Sequence, residues 1–399
     1  MKLTVSLEAR FFRTPDQKIW AESIPDYSFW CRYLDAFDFV EIVARVQDVV
    51  AVPPTYMRSD GDKVSFVPLP YYIGPLQYLL NAHKIMAITR AVVKSADAVI
   101  LRTPGQVSSN VFRYLRKDAH PYGVEVVGDP YDVFAPGSID HPLRAFFRWW
   151  GAKQLKQQCR LAVAATYVTE NALQKRYPCS QFSTYFSDVE LPFNTYESSP
   201  RGAFGSGGVF NLVLVGSLAQ LYKSPDILIE AVALCRTKGH KLTLNIIGDG
   251  KFRHQLEEQV ARMGLNDSIS FLGQLPAGGA VRAELLKADL FILPSRTEGL
   301  PRAMIEAMAC GLPCIGSTVG GIPELLPVED LVPSGSVQAL ADKIEEIITH
   351  PVRMQAMSAR NFEKSLEFRN DILEHRRREF YNHLHEKTAL WLEEKKTLK

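Results

Sequence analysis

Residues 289–326 read DLFILPSRTEGLPRAMIEAMACGLPCIGSTVGGIPELL, and this stretch decides the fold. A short apolar run ends at Pro294, a loop carries Glu298 and Gly299, and a helix is predicted from Pro301, because proline suits the first helical turn. A second apolar run follows the helix almost at once. Apolar runs without polar alternation, separated by a helix, are typical of a parallel sheet that is covered by helices on both faces.

The same alternation extends outward on both sides of this stretch. In the second half it predicts strands at 210–215, 242–247, 268–272, 289–293 and 313–316, and helices at 225–237, 252–263, 280–287, 301–310 and 337–349. In the first half it predicts strands at 2–7, 39–46, 97–101, 123–127 and 161–165, and helices at 80–93, 107–117 and 142–157. Two successive sets of this kind predict an α/β protein with two Rossmann-like, doubly wound domains.

The boundary between the two sets lies at 192–208, a segment rich in Pro, Ser and Gly that lacks hydrophobic periodicity. That composition is typical of a linker. We therefore predict an N-terminal domain at 1–195 and a C-terminal domain at 196–370. Residues 371–399 contain neither glycine nor proline, and they are predicted to form one long helix or two.

Length and composition exclude several classes of protein. A chain of 399 residues exceeds what one hydrophobic core usually supports, which agrees with two domains. The net charge of +2 argues against a nucleic-acid-binding protein, and no apolar stretch approaches the ~20 residues of a membrane span. The start lacks the apolar segment of a signal peptide. The six cysteines are scattered, so we expect free thiols in the cytoplasm.

Glycines are unevenly distributed, because residues 1–200 hold only seven of the 25. Glycine permits backbone conformations and close approaches that other residues do not. In the second half, Gly299, Gly311 and the pair Gly320-Gly321 all stand at predicted transitions between strand and helix. Ligands of open α/β sheets bind at the carboxyl ends of strands, where such transitions lie. The main ligand site is therefore predicted in the second half.

Glu298 and Glu306 are the candidate functional carboxylates of this region. Glu298 lies in the predicted loop, whereas Glu306 lies in the helix body, about 7.5 Å from the helix start at ~1.5 Å per residue. A ligand across the helix N-terminus could touch both, with its anionic part near the backbone N–H groups. Helix capping alone would also account for a glutamate early in a helix.

The motif EGLPRAMIEAMACGLPCI at 298–315, followed by GGIPELL at 320–326, resembles the signature of glycosyltransferase family 4, whose members are retaining nucleotide-sugar glycosyltransferases of GT-B fold. Further blocks match in order and spacing between about residues 210 and 345. They are VLVGSL around Gly216, KSPDILIEA from Lys223, IIGDG ending at Gly250 and FLG ending at Gly273. The fold of the family implies that the C-terminal helical segment crosses back to the N-terminal domain.

The resemblance implies a role for each matching residue. Glu298 would lie near the donor sugar, Glu306 would bind the ribose hydroxyls, and Lys223 would lie against the diphosphate. A fixed ammonium there would stabilise the charge that builds on the leaving diphosphate. The loop Gln274-Leu275 would hold the base. The remaining donor-binding positions would be Gly216, Ser217, Gly248, Gly299, Leu300 and Arg302.

The chain departs from the family pattern at three places. Ser217 stands where a diphosphate-binding arginine is frequent, so another base would have to supply that charge. The candidates are Arg102, Arg253, Arg296 and Arg302. The segment 6–16 lacks the glycine-rich loop that often follows the first strand. After 123–127, the sequence GDPYD stands where many members have a histidine, and Asp129 there either accepts a hydrogen bond from a sugar or is a turn residue before Pro130.

The resemblance implies a retaining, metal-independent hexosyltransferase for polysaccharide or glycoconjugate biosynthesis. It would move a hexose from a UDP- or GDP-sugar to a saccharide or lipid-linked acceptor, with the N-terminal domain binding the acceptor. Glu298, Lys223 and Asp129 are the predicted catalytic residues. No cofactor besides the donor substrate and no metal is expected, because no DxD motif lies in a plausible loop and no His/Asp ligand cluster is visible.

Three alternatives stay open beside this function. A nucleotide-sugar epimerase and a sugar phosphorylase use the same fold. A non-catalytic nucleotide-binding subunit is favoured by Ser217 and by the missing histidine. A dinucleotide dehydrogenase is disfavoured, since no GxGxxG follows a first strand in either half.

A peripheral contact with a membrane also stays open. The cluster Arg376-Arg377-Arg378 could contact acidic headgroups, although interspersed glutamates favour a solvated helix face. The aromatic segments at 20–33, 71–72 and 146–150 could stack on sugar rings or meet a lipid surface, but core packing is the more common role of such residues.

Overall fold

The computed structural model describes residues 1–22, 25–135, 141–189, 191–192, 196–197, 199–276 and 278–397. Two largely parallel sheets, each covered by helices on both faces, form the framework. The prediction of an α/β protein with two Rossmann-like units is confirmed. The predicted boundary between 195 and 196 falls where residues 193–195 and 198 lie outside the described residues, so it stays a prediction.

The N-terminal sheet has a parallel body in the order β5-β3-β1-β6-β7-β8-β9. Strand β2 pairs antiparallel with the last two residues of β1, and β4 pairs antiparallel with β2. Its strands are β1 (Lys2–Arg13), β2 (Ile19–Ala21), β3 (Phe39–Asp48), β4 (Met57–Arg58), β5 (Val64–Pro70), β6 (Ala98–Thr103), β7 (Gly123–Val126), β8 (Ala164–Tyr167) and β9 (Phe182–Tyr185). Its helices are α1 (Tyr27–Cys31), α2 (Gly74–Ser95), α3 (Gln106–Lys117), α4 (Pro130–Val133), α5 (Arg144–Leu161) and α6 (Ala172–Arg176).

The C-terminal sheet is parallel throughout, in the order β12-β11-β10-β13-β14-β15. The strands are β10 (Val209–Val215), β11 (Lys241–Ile247), β12 (Ile269–Gly273), β13 (Leu290–Leu293), β14 (Cys314–Ser317) and β15 (Leu331–Val332). The helices are α7 (Pro225–Thr237), α8 (Arg253–Arg262), α9 (Gly279–Lys287), α10 (Arg302–Ala309), α11 (Ile322–Leu325), α12 (Val337–Ile348) and α13 (Pro351–Ser365). The strand order reverses between β10 and β13, which is where doubly wound sheets bind ligands.

The last helix, α14 (Asn370–Thr397), crosses back to the N-terminal sheet, as predicted. Phe380 and Leu384 press against the backbone of β7 so closely that a Cβ at Gly123 would lie 2.9 Å from the Phe380 ring. The basic cluster that begins at Arg376 packs against the protein: its second member, Arg377, is buried, and its third, Arg378, pairs with Asp35.

Two expectations for the first half need correction. The first strand was predicted at 2–7, but β1 continues to Arg13, with a register irregularity between Ser6 and Arg10. The edge strand β5 was not among the predicted strands. All six cysteines are free, as predicted. None of the helices in the described part of the chain combines the length and apolarity needed to cross a bilayer.

Candidate functional site

A cleft of about 330 Å³ lies between the two sheets, at the carboxyl ends of their strands. The C-terminal wall holds five of the residues that the sequence singled out, namely Lys223, Glu298, Gly299, Leu300 and Arg302. The N-terminal wall includes Phe29, Arg102, Val127, Val168 and Asp188. The predicted ligand site is thus one wall of a cleft that both sheets build.

A buried ion pair stands at the centre of the C-terminal wall. Lys223 Nζ donates to Glu298 Oε1 at 2.5 Å, and the Ser295 hydroxyl donates to the same oxygen at 2.8 Å. The Lys223 and Glu298 side chains are only 11% and 7% exposed. Arg296 ties their loops together, because its backbone N–H donates to the Tyr222 carbonyl at 2.7 Å and its guanidinium pairs with Asp226 outside the cleft lining. The pair is therefore held in place before any ligand arrives.

Two glycines allow the two loops beneath Lys223 to pack closely against each other. The aliphatic stem of Lys223 lies over Gly216, where a Cβ would stand 3.0 Å from Lys223 Cγ. Gly248 has φ +136°, and a Cβ there would stand 2.0 Å from the carbonyl oxygen of Gly216. The loops after β10 and β11 therefore touch backbone to backbone, which no larger residue would permit.

The N-terminus of α10 opens toward the cleft. Pro301 precedes the helix, and no side chain in the described part of the chain caps its first turn, so free N–H groups and the positive end of the helix dipole favour an anion there. Arg302 stands beside these groups, exposed and without an ion-pair partner among the described residues. Gly299 lets the preceding loop approach the N-terminal sheet, because a Cβ would lie 3.0 Å from the Val127 carbonyl oxygen.

The four candidate arginines differ in whether they already form an ion pair. Arg102 pairs with Glu125 and Asp188, and Arg253 pairs with Asp249 and Glu257. Arg296 is committed to Asp226, as described above. Arg302 is the member of the set that lines the cleft with an unpaired guanidinium. It is therefore the candidate that could supply the positive charge missing at position 217, where this chain has serine.

Glu306 lies one turn inside α10, outside the residues that line the cleft, and differs from Glu298 in its surroundings. It is half-buried, and its carboxylate forms no hydrogen bond or ion pair with the described residues. Burial raises its pKa, and the nearby charge of Arg302 partly opposes that rise. A carboxylate in this state is ready to accept hydrogen bonds from hydroxyl groups of a ligand.

Other predicted residues lie outside the lining of the cleft. Ser217 is exposed and accepts a hydrogen bond from Ala219 N at 3.2 Å. Gln274 and Leu275 follow β12, whose last residue, Gly273, accepts a hydrogen bond from Gly248 N at 2.8 Å. The roles predicted for these three residues stay predictions.

Asp129 lines a smaller neighbouring pocket of about 60 Å³, together with Glu298 and Gly299. Its carboxylate caps α4 by accepting from Tyr131 N at 2.8 Å, and it also accepts from Tyr177 Oη at 2.5 Å and from the Arg176 guanidinium. Both oxygens are therefore engaged by the protein. The structure places Asp129 beside Glu298 but gives it a turn-forming role as well.

A buried charge cluster in the N-terminal wall was not predicted from the sequence, which singled out only Arg102 among its members. Asp188 accepts from Arg32 at 3.0 Å and also pairs with Arg102, which reaches Glu125 at 2.5 Å. Burial alone would raise the pKa of Asp188, yet the two guanidinium groups hold it well below its usual range. Phe29 lies beneath both guanidinium groups. Ion pairs between residues 86 and 156 positions apart cannot be read from sequence spacing.

Glu324 connects the C-terminal unit to the N-terminal unit through hydrogen bonds, and no role was predicted for it from the sequence. Its carboxylate accepts from the backbone N–H groups of Glu170, Asn171 and Ala172 at 2.6, 3.0 and 2.7 Å. These three groups form the N-terminus of α6, so a side chain of the C-terminal unit caps a helix of the N-terminal unit. The sequence feature that could have indicated this role is the position of Glu324 in GGIPE, directly after the proline in the first turn of α11.

We expect Glu324→Ala to open this contact. Three charge-assisted hydrogen bonds would be lost, and bonds of this kind contribute about 1.5–3 kcal/mol each at most, with a smaller net sum for one shared acceptor. Amide hydrogen exchange at 170–172 should accelerate by about tenfold or more. Glu363→Ala, at an exposed glutamate on α13, is the matched control and should leave those amides unchanged. Unchanged exchange in Glu324→Ala would contradict the capping role.

Comparison with known proteins points to one family. Residues 207–364 match the family model described as Glycosyl transferases group 1. Protein CapJ of Staphylococcus aureus is 26% identical over 323 residues, which cover 81% of this chain and 80% of CapJ. The amylovoran biosynthesis glycosyltransferase AmsK of Erwinia amylovora is 38% identical over 128 residues, which cover 30% of this chain and only 31% of AmsK.

The fold has counterparts among solved structures. The crystal structure of Anabaena Alr3699/HepE in complex with UDP-glucose matches with a TM-score of 0.61, over 99% of this chain and 100% of that chain. The sequence identity is 17%, so this likeness shows the fold alone. The matched family region contains Lys223, Glu298 and Glu306, which places the observed ion pair and the unpaired carboxylate within it.

Proposed function

From the premise that this chain belongs to the group 1 glycosyltransferases and has the GT-B fold, we propose that it transfers a hexose from a nucleoside-diphosphate sugar with retention of configuration. The observation that carries the proposal is the C-terminal wall of the cleft. There a preassembled Lys223–Glu298 pair, the unpaired Arg302 and the open N-terminus of α10 lie together. Such a wall suits a diphosphate at one end and a sugar at the other.

The proposed chemistry is a displacement in which the diphosphate leaves and the acceptor attacks on the same face of the sugar. The bond between the anomeric carbon and the phosphate oxygen breaks, and a bond to the acceptor oxygen forms. The acceptor proton passes to the departing phosphate oxygen. Lys223, Arg302 and the N–H groups of α10 stabilise the negative charge that grows on the diphosphate, without a resident metal ion.

The remaining residues have supporting roles in this proposal. Glu306 accepts hydrogen bonds from the ribose hydroxyls, since its carboxylate has no partner among the described residues. Glu298 holds Lys223 and faces the sugar. Asp129 is a positioning residue, because its oxygens are engaged by α4 and Arg176. The N-terminal wall with Phe29 and Asp188 receives a saccharide or lipid-linked acceptor.

A UDP-sugar is the proposed donor, and GDP-sugars are the second choice. HepE, whose fold is the same, was crystallised with UDP-glucose. Synthesis of a polysaccharide or glycoconjugate is the proposed setting, in line with the name of AmsK.

A donor panel tests the proposal. We expect UDP or a UDP-sugar to raise the melting temperature, because a ligand at 100-fold its Kd stabilises the native state by about 2.7 kcal/mol. Glu306→Gln should weaken nucleotide binding about tenfold, whereas the exposed control Glu363→Ala should not. A labelled donor should then yield a labelled acceptor. Nucleotide binding without transfer across a broad acceptor panel would instead identify a non-catalytic subunit, and sugar conversion without acceptor would identify an epimerase.

A further inference from the structure

One face of the N-terminal sheet is covered by three helices that carry no acidic residue. The helices α2, α3 and α5, here called the basic face, pack side by side: Tyr78 bonds to Asn110 and Gln158 to Ser109. They contribute apolar side chains such as Val93, Leu115 and Leu155 to one core layer. The rest of their surface faces away from that layer.

The charge of the basic face is strongly biased. The helices have 22, 12 and 18 residues and together hold eleven Lys and Arg but no Asp or Glu. At the chain average of 44 acidic residues in 399, a set of this size would hold about six. Nine of the eleven cations are exposed, and none of the eleven forms an ion pair with the described residues. Most arginines elsewhere in the chain are paired.

Large apolar side chains project at one end of this face. We call them the apolar rim, and each is at least half exposed. The rim consists of Ile73, Leu76, Leu79, Leu80, Leu143, Phe146 and Trp149. Phe146 and Trp149 lie 6.2 Å apart between ring centroids, and Lys153 Nζ stands 4.9 Å from the Trp149 ring. An amphipathic aromatic ring beside a long cationic side chain suits the boundary between headgroups and acyl chains.

We propose that the basic face and the apolar rim form a docking surface for the anionic surface of a lipid bilayer. Unpaired cations attract acidic headgroups, and the rim inserts among the acyl chains. A nucleic acid would account for the cations and could stack bases on Phe146 and Trp149, but it would gain nothing from the five exposed aliphatic side chains of the rim. The lipid surface is therefore the occupant that satisfies both features.

The position of the rim has a geometric consequence. The helices α2 and α3 follow directly from β5 and β6, and α5 follows β7 after the short helix α4, so all three begin at the carboxyl edge of the sheet. The cleft opens at that same edge. A protein seated on the rim therefore holds its cleft close to the headgroup layer. The docking itself is independent of whether a sugar is transferred.

Sedimentation with vesicles tests the proposal on the full chain. We expect the protein to pellet with phosphatidylcholine vesicles that contain roughly 30 mol% phosphatidylglycerol, and much less with phosphatidylcholine alone. The variant with Leu76→Ser, Leu79→Ser, Phe146→Ser and Trp149→Ser should bind at least tenfold more weakly. Its control carries Val328→Ser and Val352→Ser, which remove two exposed apolar side chains of the C-terminal unit, and it should bind like the wild type.

A charge variant separates the two parts of the surface. Lys153→Glu with Lys156→Glu should weaken the preference for phosphatidylglycerol and should reduce the sensitivity of binding to salt. The melting temperature and UDP affinity of each variant confirm that it is folded. The proposal is overturned if the wild type does not pellet with the anionic vesicles, if the rim variant binds as well as the control, or if heparin binds tightly while the vesicles do not.

Discussion

Lys223→Met is expected to lower kcat/KM for sugar transfer by about 10²–10³-fold, because one fixed donor at a developing anion is worth that much in other enzymes. Methionine keeps the apolar stem that covers Gly216, so the backbone beneath it should not move. What is lost is the ammonium, which is 2.5 Å from Glu298 and mostly shielded from water. The loss should appear mainly in kcat, since in the proposed reaction the charge on the diphosphate grows as the sugar leaves.

The substitution also leaves Glu298 with Ser295 as its remaining side-chain partner. A buried carboxylate without its cation destabilises the protein, so we expect a lower melting temperature as well. The double variant Lys223→Met with Glu298→Gln should recover stability but not activity. That pattern separates a catalytic loss from a folding defect.

The matched control for this experiment is Lys238→Met, at an exposed lysine that pairs with Glu345 on the far helices of the same unit. It should change neither kcat nor stability by much, because exposed ion pairs contribute only about 0–1 kcal/mol. Full activity in Lys223→Met would rule out the proposed role of the ammonium.

Gly248→Ala is expected to destabilise the C-terminal unit by about 3 kcal/mol or more and to abolish nucleotide binding. Two costs combine at this position. The positive φ of +136° strains any residue with a Cβ, and the added Cβ would stand 2.0 Å from the Gly216 carbonyl oxygen. Because that oxygen belongs to backbone, the loop that carries Lys223 would have to shift.

Gly239→Ala separates the two costs. Gly239 also has a positive φ, +93°, but a Cβ there would meet nothing within 4 Å. This control should therefore show the strain alone, about 1–3 kcal/mol, with normal nucleotide affinity. Chemical denaturation and nucleotide titration measure both effects. Equal losses in the two variants would mean that the contact between the loops after β10 and β11 does not matter for the site.

The C-terminal unit could be predicted closely because its signals are local. The predicted helix 225–237 matches α7 at both ends, since Pro225 marks its start and no tertiary contact overrides the pattern. The residues of the C-terminal wall lie in short motifs, so their proximity followed from sequence order. Glu298 and Lys223 are 75 positions apart; the resemblance implied that both lie near the donor, but their pairing was not predicted.

The N-terminal unit was harder to predict for identifiable reasons. Strand β5 contains Pro68 and Pro70, which argue against an interior strand, but β5 pairs with β3 on one side only, and an edge strand tolerates proline. Strand β1 continues beyond its predicted end at residue 7, and Glu8 in this extension accepts from Val107 N at 2.8 Å and from Tyr72 Oη at 2.8 Å. These partners come from distant parts of the chain.

The crossing helix α14 bears on how the protein is made. Its side chains Leu373, Phe380, Tyr381 and Leu384 belong to the same apolar cluster as Leu3 and Val5 of the first strand. The N-terminal unit therefore cannot complete its core while it emerges from the ribosome. It must wait, with one face of its sheet uncovered, until the whole C-terminal unit and then α14 have been synthesised. Dependence on chaperones during translation should thus be greatest for the half of the protein that is made first.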